Sequence, residues 1–337
     1  MLENLGVGLK QSKFQIIALL TTLALFLITN HFLRDSALGF VPTLFAILIV
    51  IEIIGFVGLE VNSGAKKHGW KHEIVDTAIA LGIAVAIWFG LCFILNTNTP
   101  ISGVVSCSML PNLQRGDFVI VQGASPAAYS LQMTSVELSS LTDDATVYYS
   151  NKSETIVGSI FAYCTQHVGG EMCSAFISNP ESVIEQKGAF IYKYERCELN
   201  YSNGDRKTEP CLKSVTFHEQ EYLTNFSNDV LVYQPVSGDL FSLVGDIVHR
   251  AMFKIDITDV KGGNSTYYLT RGDNNPVLDL QIYEYSRSLG NHPVPDENLR
   301  GKVIFRVPYL GYFKLFISGY LQEDSQCKTQ LGFSHVN

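Results

Sequence analysis

The sequence predicts a membrane-anchored chain: three N-terminal transmembrane helices followed by a mainly β domain that carries a large insertion. Three observations predict it. The first 96 residues hold three apolar runs of about 20 residues, at 14–33, 37–59 and 75–95, the length a helix needs to cross ~30 Å of hydrocarbon. Beyond Pro100 the chain reads as short runs rich in Val, Ile, Tyr and Phe, separated by Gly, Asn, Asp and Pro, the pattern of a sheet with turn punctuation. Four cysteines and three of four N-x-S/T tripeptides then fall within a single stretch, 123–228, which sets it apart from the strands on either side.

Taken in order, the run at 14–33 is long for a secretory leader and lacks a small-x-small site before a polar start, so it reads as a retained helix. The second run contains Glu52, which costs roughly 2.5–3.5 kcal/mol in a bilayer unless paired or hydrated. A polar contact between helices and a carboxyl leaning towards the headgroups both satisfy it. Lys10 and Lys13 precede the first run, Lys66, Lys67 and Lys71 separate the second from the third, and the connector at Arg34 and Asp35 is almost uncharged. The positive-inside rule therefore places the N-terminus and the second connector in the cytoplasm. Three crossings put everything after Asn96 on the outer face of a cell membrane, or in the lumen if the membrane is that of the endoplasmic reticulum. That part holds 18 of the 24 Lys+Arg and 26 of the 32 Asp+Glu, and so carries the whole net charge of −8. An acidic outer domain without a basic patch excludes nucleic acid as a partner.

Strands are expected at "DFVIVQ", "ATVYYS", "GAFIYKY", "DVLVYQ", "DIVHRAMFKIDI", "STYYLTRGD" and "KVIFRV". The boundaries that follow are a membrane region at 1–96, a β domain at 97–122 and 229–337, and an inserted subdomain at 123–228. An insertion of this kind is separable: replacing it with a short turn leaves the β domain foldable. Within it, Cys164, Cys173, Cys197 and Cys211 allow three disulfide pairings. Pairing of sequence neighbours closes two short loops. A zinc site built from Cys164, Cys173 and His167 is the alternative, and disulfides suit an oxidising compartment better. The tripeptides at Asn151, Asn200, Asn225 and Asn264 are compatible with an outer surface. The C-terminal "VPYLGYFKLFISGY" is apolar but short, either a buried strand and turn or a segment at the membrane surface.

Three outer segments carry chemistry-bearing residues. "SCSMLP" supplies Ser106 and Ser108, "GDIVHRAMF" supplies His249, and "LTRGDNNPVLD" supplies Asp273 and Asp279. A serine, a histidine and a carboxylate are the parts of nucleophilic acyl transfer: the hydroxyl attacks, the imidazole takes its proton, and the carboxylate fixes the tautomer. Cys107 is a rival nucleophile. Arg271-Gly272-Asp273 reads as a turn rather than an adhesion motif.

Together, in this order after a membrane span, the segments resemble type I signal peptidase, the membrane-bound serine protease that removes signal peptides. Ser106-Cys107-Ser108-Met109-Leu110-Pro111 followed by Gly116-Asp117 is similar to the family's Ser-Gly-Ser-Met-x-Pro and Gly-Asp strand. "SGDLFSL" at 237–243, "LTRGDNNPVLD" and "GKVIFRVPYLGYFKL" resemble its later segments. Histidine stands in "IVHR" where bacterial members carry lysine, as in the archaeal and endoplasmic-reticulum branch. The resemblance covers 101–121 and 237–317. It implies Ser108 as nucleophile, His249 as general base, Asp279 as the carboxylate that orients it and Asp273 as a supporting carboxylate of the catalytic set. It also implies an oxyanion hole from the Ser106 hydroxyl and the Ser108 backbone N–H. Cys107 in place of glycine and Leu278 in place of the first aspartate of the family's pair are departures.

The same resemblance implies preproteins carrying signal peptides as substrates, shallow pockets for small residues before the scissile bond, and the lipid bilayer and the protein translocation machinery as partners. No metal or cofactor is expected. It also explains why small, reactive side chains follow the third run so soon: a signal peptide is held in the bilayer, and Ser108 comes twelve residues after Asn96. The competing reading is a catalytically silent, membrane-anchored β domain that binds or scaffolds other proteins. That reading needs no aligned Ser, His and Asp.

Overall fold

The computed structural model describes residues 14–26, 28–29, 38, 40–167, 169–258, 264–317, 323 and 325–333. Contacts divide the chain into two units, Met1–Gly90 and Leu91–Asn337.

The first unit is helical, with α1 at Phe14–Phe26, α2 at Phe40–His68 and α3 at Trp70–Ile94. Two segments are long and apolar enough to cross a membrane, Ile47–Lys67 and Trp70–Ile94. Neighbouring α3 side chains Ile87, Trp88 and Phe89 are all exposed, and a helix apolar on every side requires an apolar surround. The described part of α1 is shorter, about 20 Å at 1.5 Å per residue, and the remainder of the 14–33 run lies outside the described residues. Thr22 of α1 donates its hydroxyl to Glu52 Oε1 at 2.9 Å, so Glu52 makes a polar contact between helices.

The expected second connector is reduced to Gly69, at φ +86°. Lys66 and Lys67 therefore end α2 and Lys71 opens α3. Nothing in "LEVNSGAKKH" breaks a helix once it leaves the apolar run, and Gly69 supplies the left-handed stop.

The second unit is mainly β. Its strands are β1 Ile101–Gly103, β2 Phe118–Gln122, β3 Tyr129–Met133, β4 Ala145–Tyr149, β5 Lys152–Ile156, β6 Ile184–Lys187, β7 Phe190–Tyr201, β8 Arg206–Phe217 and β9 Gln220–Leu223. They continue with β10 Val230–Tyr233, β11 Ile247–Thr258, β12 Asn264–Arg271, β13 Tyr283–Glu284, β14 Leu289–Gly290, β15 Val294–Pro295, β16 Leu299–Val307 and β17 Thr329–Gly332. All seven expected strand segments form strands. The first sheet runs β1-β2-β16-β10-β11-β12-β15. Opposite β12, the long β11 is paired by β10 at 247–250 and, in parallel, by β3 at 253–257. The second sheet runs β5-β4-β6-β7-β8-β9, and β17 joins it on β7.

Short helices interrupt what reads as all β: α4 Ser135–Ser140, α5 Ile160–Gln166, α6 Glu171–Ser178 and α7 Tyr312–Ile317. Thr134 and Glu137 form a capping box on α4, and Ser159 caps α5 by accepting from the Ala162 N–H. Strand β8 carries Pro210, which argues against a central strand. It is tolerated because β9 reaches only Ser214–Phe217, so Pro210 has one strand neighbour, at Arg196.

The stretch 123–228 is not a self-contained insertion. Its β3 belongs to the first sheet, and the second sheet takes β17 from the C-terminal end. One apolar core serves both: Leu131, Met252, Phe253 and Leu278 pack in the same cluster as Val147, Phe190, Tyr194 and Leu212. Replacing 145–223 with a turn strips one side of that core. The expected outcome is loss of the folded β unit, read in detergent as loss of its cooperative thermal transition.

A buried acid also crosses this boundary. Glu185 of β6 accepts, at Oε2, from the Tyr194 hydroxyl and the Ile160 N–H. Tyr194 in turn accepts from Gln281 Nε2 at 2.7 Å. Burial pushes the Glu185 carboxyl up to about 7, from an ordinary 4.5. The folded protein thus holds this proton more tightly than the unfolded chain, so the stability linked to it is present below pH 4.5 and lost as pH rises to 7. The loss is about 3 kcal/mol. Glu185→Gln is expected to raise the unfolding temperature at pH 8 and leave it unchanged near pH 4, measured by thermal unfolding at both pH values.

Candidate active site

The loop between β1 and β2 carries Ser106 and Ser108. Its two ends are tied together: the Val104 N–H donates to Asp117 O and the Gly116 N–H to Val104 O, both at 2.9 Å. Gly116 turns the chain at φ +89°, with the Tyr312 ring where a Cβ would stand. Met109, 1% exposed, plugs an apolar cluster with Val104, Leu113, Val119, Val121 and Val232. A long apolar side chain directly after Ser108 is therefore an anchor that fixes the loop from beneath.

His249 lies on β11, opposite Leu231 of β10. Asp279 opens a one-turn 3-10 helix, Asp279–Gln281, beyond β12. That turn is held on several sides: Gln281 Oε1 accepts from the Leu278 N–H, Ser159 Oγ donates to Gln281 O, and Asn291 Nδ2 donates to Asp279 O.

Three separated segments thus converge. Ser108 Oγ is 2.9 Å from His249 Nε2, and His249 Nδ1 is 2.6 Å from Asp279 Oδ2. All three residues are buried, while Ser106 is exposed, its hydroxyl 3.1 Å from Ser108 Oγ. Asp279 Oδ2 also accepts from Thr270 Oγ1 at 2.7 Å and from the Tyr233 hydroxyl at 3.1 Å. Burial and the Asp279 charge push the Tyr233 hydroxyl far above its ordinary pKa, so it stays protonated and donates. Asp279 Oδ1 is buried with no partner.

Asp273 stands apart from this line. It forms a bidentate ion pair with Arg250, Nε to Oδ1 at 2.7 Å and Nη2 to Oδ2 at 2.6 Å, and accepts from Asn112 Nδ2 at 2.7 Å. Its N–H reaches Met109 Sδ at 3.4 Å. Rather than facing His249, Asp273 braces the segment behind Ser108. Gly272 lets that segment approach: a Cβ there would lie 2.6 Å from Ser108 O.

Cys107 has no free thiol. It is disulfide-bonded to Cys327, and the other bridges are Cys164–Cys173 and Cys197–Cys211. The rival nucleophile and the zinc alternative are both removed by these bonds, and His167 stacks on Tyr163 instead. Thr270, Tyr233, Asn112 and Asn274 escape sequence reasoning. Each is an ordinary strand or loop residue with no spacing signal, although Thr270 and Asn274 lie in the same "LTRGDNNPVLD" segment as Asp273 and Asp279.

A hydroxyl bonded to an imidazole whose other nitrogen meets a carboxylate is suited to attack on an acyl carbon, with the imidazole taking and returning the proton. The Ser106 hydroxyl is close enough to turn towards an oxygen developing charge beside Ser108, where a single donor is worth ~3–4 kcal/mol.

No family model matches the chain. An uncharacterized protein of Methanocaldococcus jannaschii is 24% identical over 223 residues, covering 64% of this chain and 83% of that protein. The signal peptidase complex catalytic subunit SEC11 of Komagataella phaffii is 33% identical over 90 residues, 27% of this chain and 48% of that protein. The SEC11 subunit of Paracoccidioides brasiliensis (strain Pb03) is 39% identical over 54 residues, 16% and 27% of the two chains. The chain therefore spans less than half the length of either SEC11 relative, and its similarity to signal peptidase catalytic subunits is distant and partial.

Proposed function

We propose that this protein is a membrane-bound serine endopeptidase that cleaves signal peptides from secreted and membrane preproteins at the outer membrane surface. The observation that carries the reading is the Ser108–His249–Asp279 line, with 2.9 and 2.6 Å between successive partners. Ser108 is the nucleophile and His249 the base that takes its proton. Asp279 holds the imidazole with Nε2 free to accept and favours the imidazolium that forms. Ser106 and the Ser108 N–H receive the oxyanion. The partial similarity to SEC11 subunits and the two apolar helices support the same reading. The preprotein is presented from the bilayer, in company with the translocation machinery, and an extended substrate segment adds to the sheet as a strand.

Detergent-solubilised protein incubated with a preprotein tests the proposal. The wild type releases the signal peptide and Ser108→Ala does not. An intact preprotein in both incubations, with the wild type folded, would favour a silent binding domain.

A further inference from the structure

Ser108 is flanked by a covalent bond that the Ser-His-Asp chemistry does not require. Cys107, between Ser106 and Ser108, is joined to Cys327 across 220 residues. Residues 104–110 belong to no strand or helix, so their position depends on what ties them down. Cys327 sits in a 3-10 turn, Ser325–Lys328, that runs directly into β17 and is thereby fixed to β7. Asn274 joins the same pieces. Its N–H donates to Ser108 O at 2.7 Å, and its Nδ2 to Cys107 O at 3.2 Å and to Thr329 O at 2.9 Å. Its Oδ1 accepts from the Leu331 N–H at 2.7 Å. Gln326 Nε2 returns to Asn274 O at 3.2 Å and to Asn275 Oδ1 at 2.7 Å.

From this arrangement we infer that the Cys107–Cys327 disulfide, with Asn274, is a positioning bracket for the proposed nucleophile, so that cleavage depends on this bond being oxidised. The inference rests on the function proposed above. Cys107 and Asn274 act through Ser108 and touch no substrate. Without the bond, no covalent link joins the 325–333 segment to the loop, Asn274 remains as a hydrogen-bonded tie between them, and Ser108 Oγ loses its fixed distance from His249. Misplacement of a reacting group by about 1 Å costs on the order of 10²-fold in rate. Cys327 is only half-buried, while Cys197 and Cys211 are fully buried, so a reductant reaches the bracket before it reaches the β7–β8 bridge. With dithiothreitol the step is a two-electron exchange: the S–S bond becomes two thiols and the reagent becomes its cyclic disulfide.

The test uses the full chain in detergent. Wild type, Cys107→Ala/Cys327→Ala and wild type treated with dithiothreitol are compared, with alkylation and mass spectrometry identifying the bridge that opened. Two readouts are taken: kcat and KM for preprotein cleavage, and amide hydrogen exchange of the 104–113 and 271–277 segments. Loss of the bond is expected to lower kcat roughly 10- to 100-fold with KM within about twofold. Exchange should rise in those two segments and in the 325–328 turn, not across the rest of the β unit, and reoxidation should restore both values. The double variant should be indifferent to dithiothreitol. If it fails to fold, the reduced wild type, prepared from folded protein, serves instead. Unchanged exchange with the bridge open, or a rise spread evenly over the β unit, would overturn the bracket. Oxidised wild type that cleaves nothing would defeat the proposed function, while the exchange readout decides the bracket independently.

Discussion

Asp279→Asn should leave the protein folded and lower cleavage on the order of 10⁴-fold, the size of the same substitution in the well-studied serine proteases. The carboxylate Oδ2 takes three donors at once, from His249 Nδ1, Thr270 and Tyr233. An amide can present one N–H to Nδ1, because a neighbouring hydroxyl can turn to accept the other. The imidazole then carries its proton on Nε2, facing Ser108, and has no lone pair with which to take the hydroxyl proton. Folding should be spared, since Asp279 Oδ1 is buried without a partner and a neutral amide oxygen costs less to leave unpaired there than a carboxylate oxygen. A thermal transition no lower than that of the wild type, beside a collapsed kcat, is the expected pair of results. A variant that cleaves within tenfold of the wild type would show that Asp279 does not set the tautomer.

Asp273→Ala should show the opposite division: a large loss of stability. Arg250 and Asp273 are both almost fully buried, and removing one member of a buried pair leaves an uncompensated charge worth about 3–5 kcal/mol. Asn112 loses an acceptor in the same step. Replacing both partners, as in Arg250→Met/Asp273→Leu, should cost less than Asp273→Ala alone, because the orphaned guanidinium is gone. Chemical denaturation of the three proteins gives the ordering. If Asp273→Ala unfolds at the wild-type midpoint but has lost cleavage, Asp273 acts in the reaction rather than as a brace.

These two carboxylates mark the limit of what the sequence makes legible. Ser108, His249 and Asp279 are found because each sits in a short segment of recognisable composition, and the structure brings them within hydrogen-bond distance. Asp273 lies in the same segment as Asp279, yet turns to Arg250, one residue beyond His249. The neighbouring strand positions 249 and 250 thereby serve a histidine line and an ion pair. Which carboxylate meets which side chain is set by the path of the 271–279 segment, and composition does not record it.

The strands with β-branched and aromatic runs are legible, whereas β8 is hidden by Pro210 and its charged residues, and β17 by its shortness. The Cys107–Cys327 bond joins residues 220 apart, a distance over which local patterning carries no information. The shared core of 123–228 is concealed for the same reason. Its apolar residues look like those of a separate sheet until Phe253 and Leu278 are seen packed among them.

Attack by Ser108 with His249 as its base is decided by a single comparison. Wild type, Ser108→Ala and His249→Ala, each shown to be folded, are incubated with the same preprotein, and the released peptide is identified by mass spectrometry. The expected result is one cut, at the end of the signal peptide, made by the wild type, with both variants slower by roughly 10⁴-fold or more. Cleavage at the wild-type rate by His249→Ala, with Ser108→Ala inactive, would place the base elsewhere and contradict it.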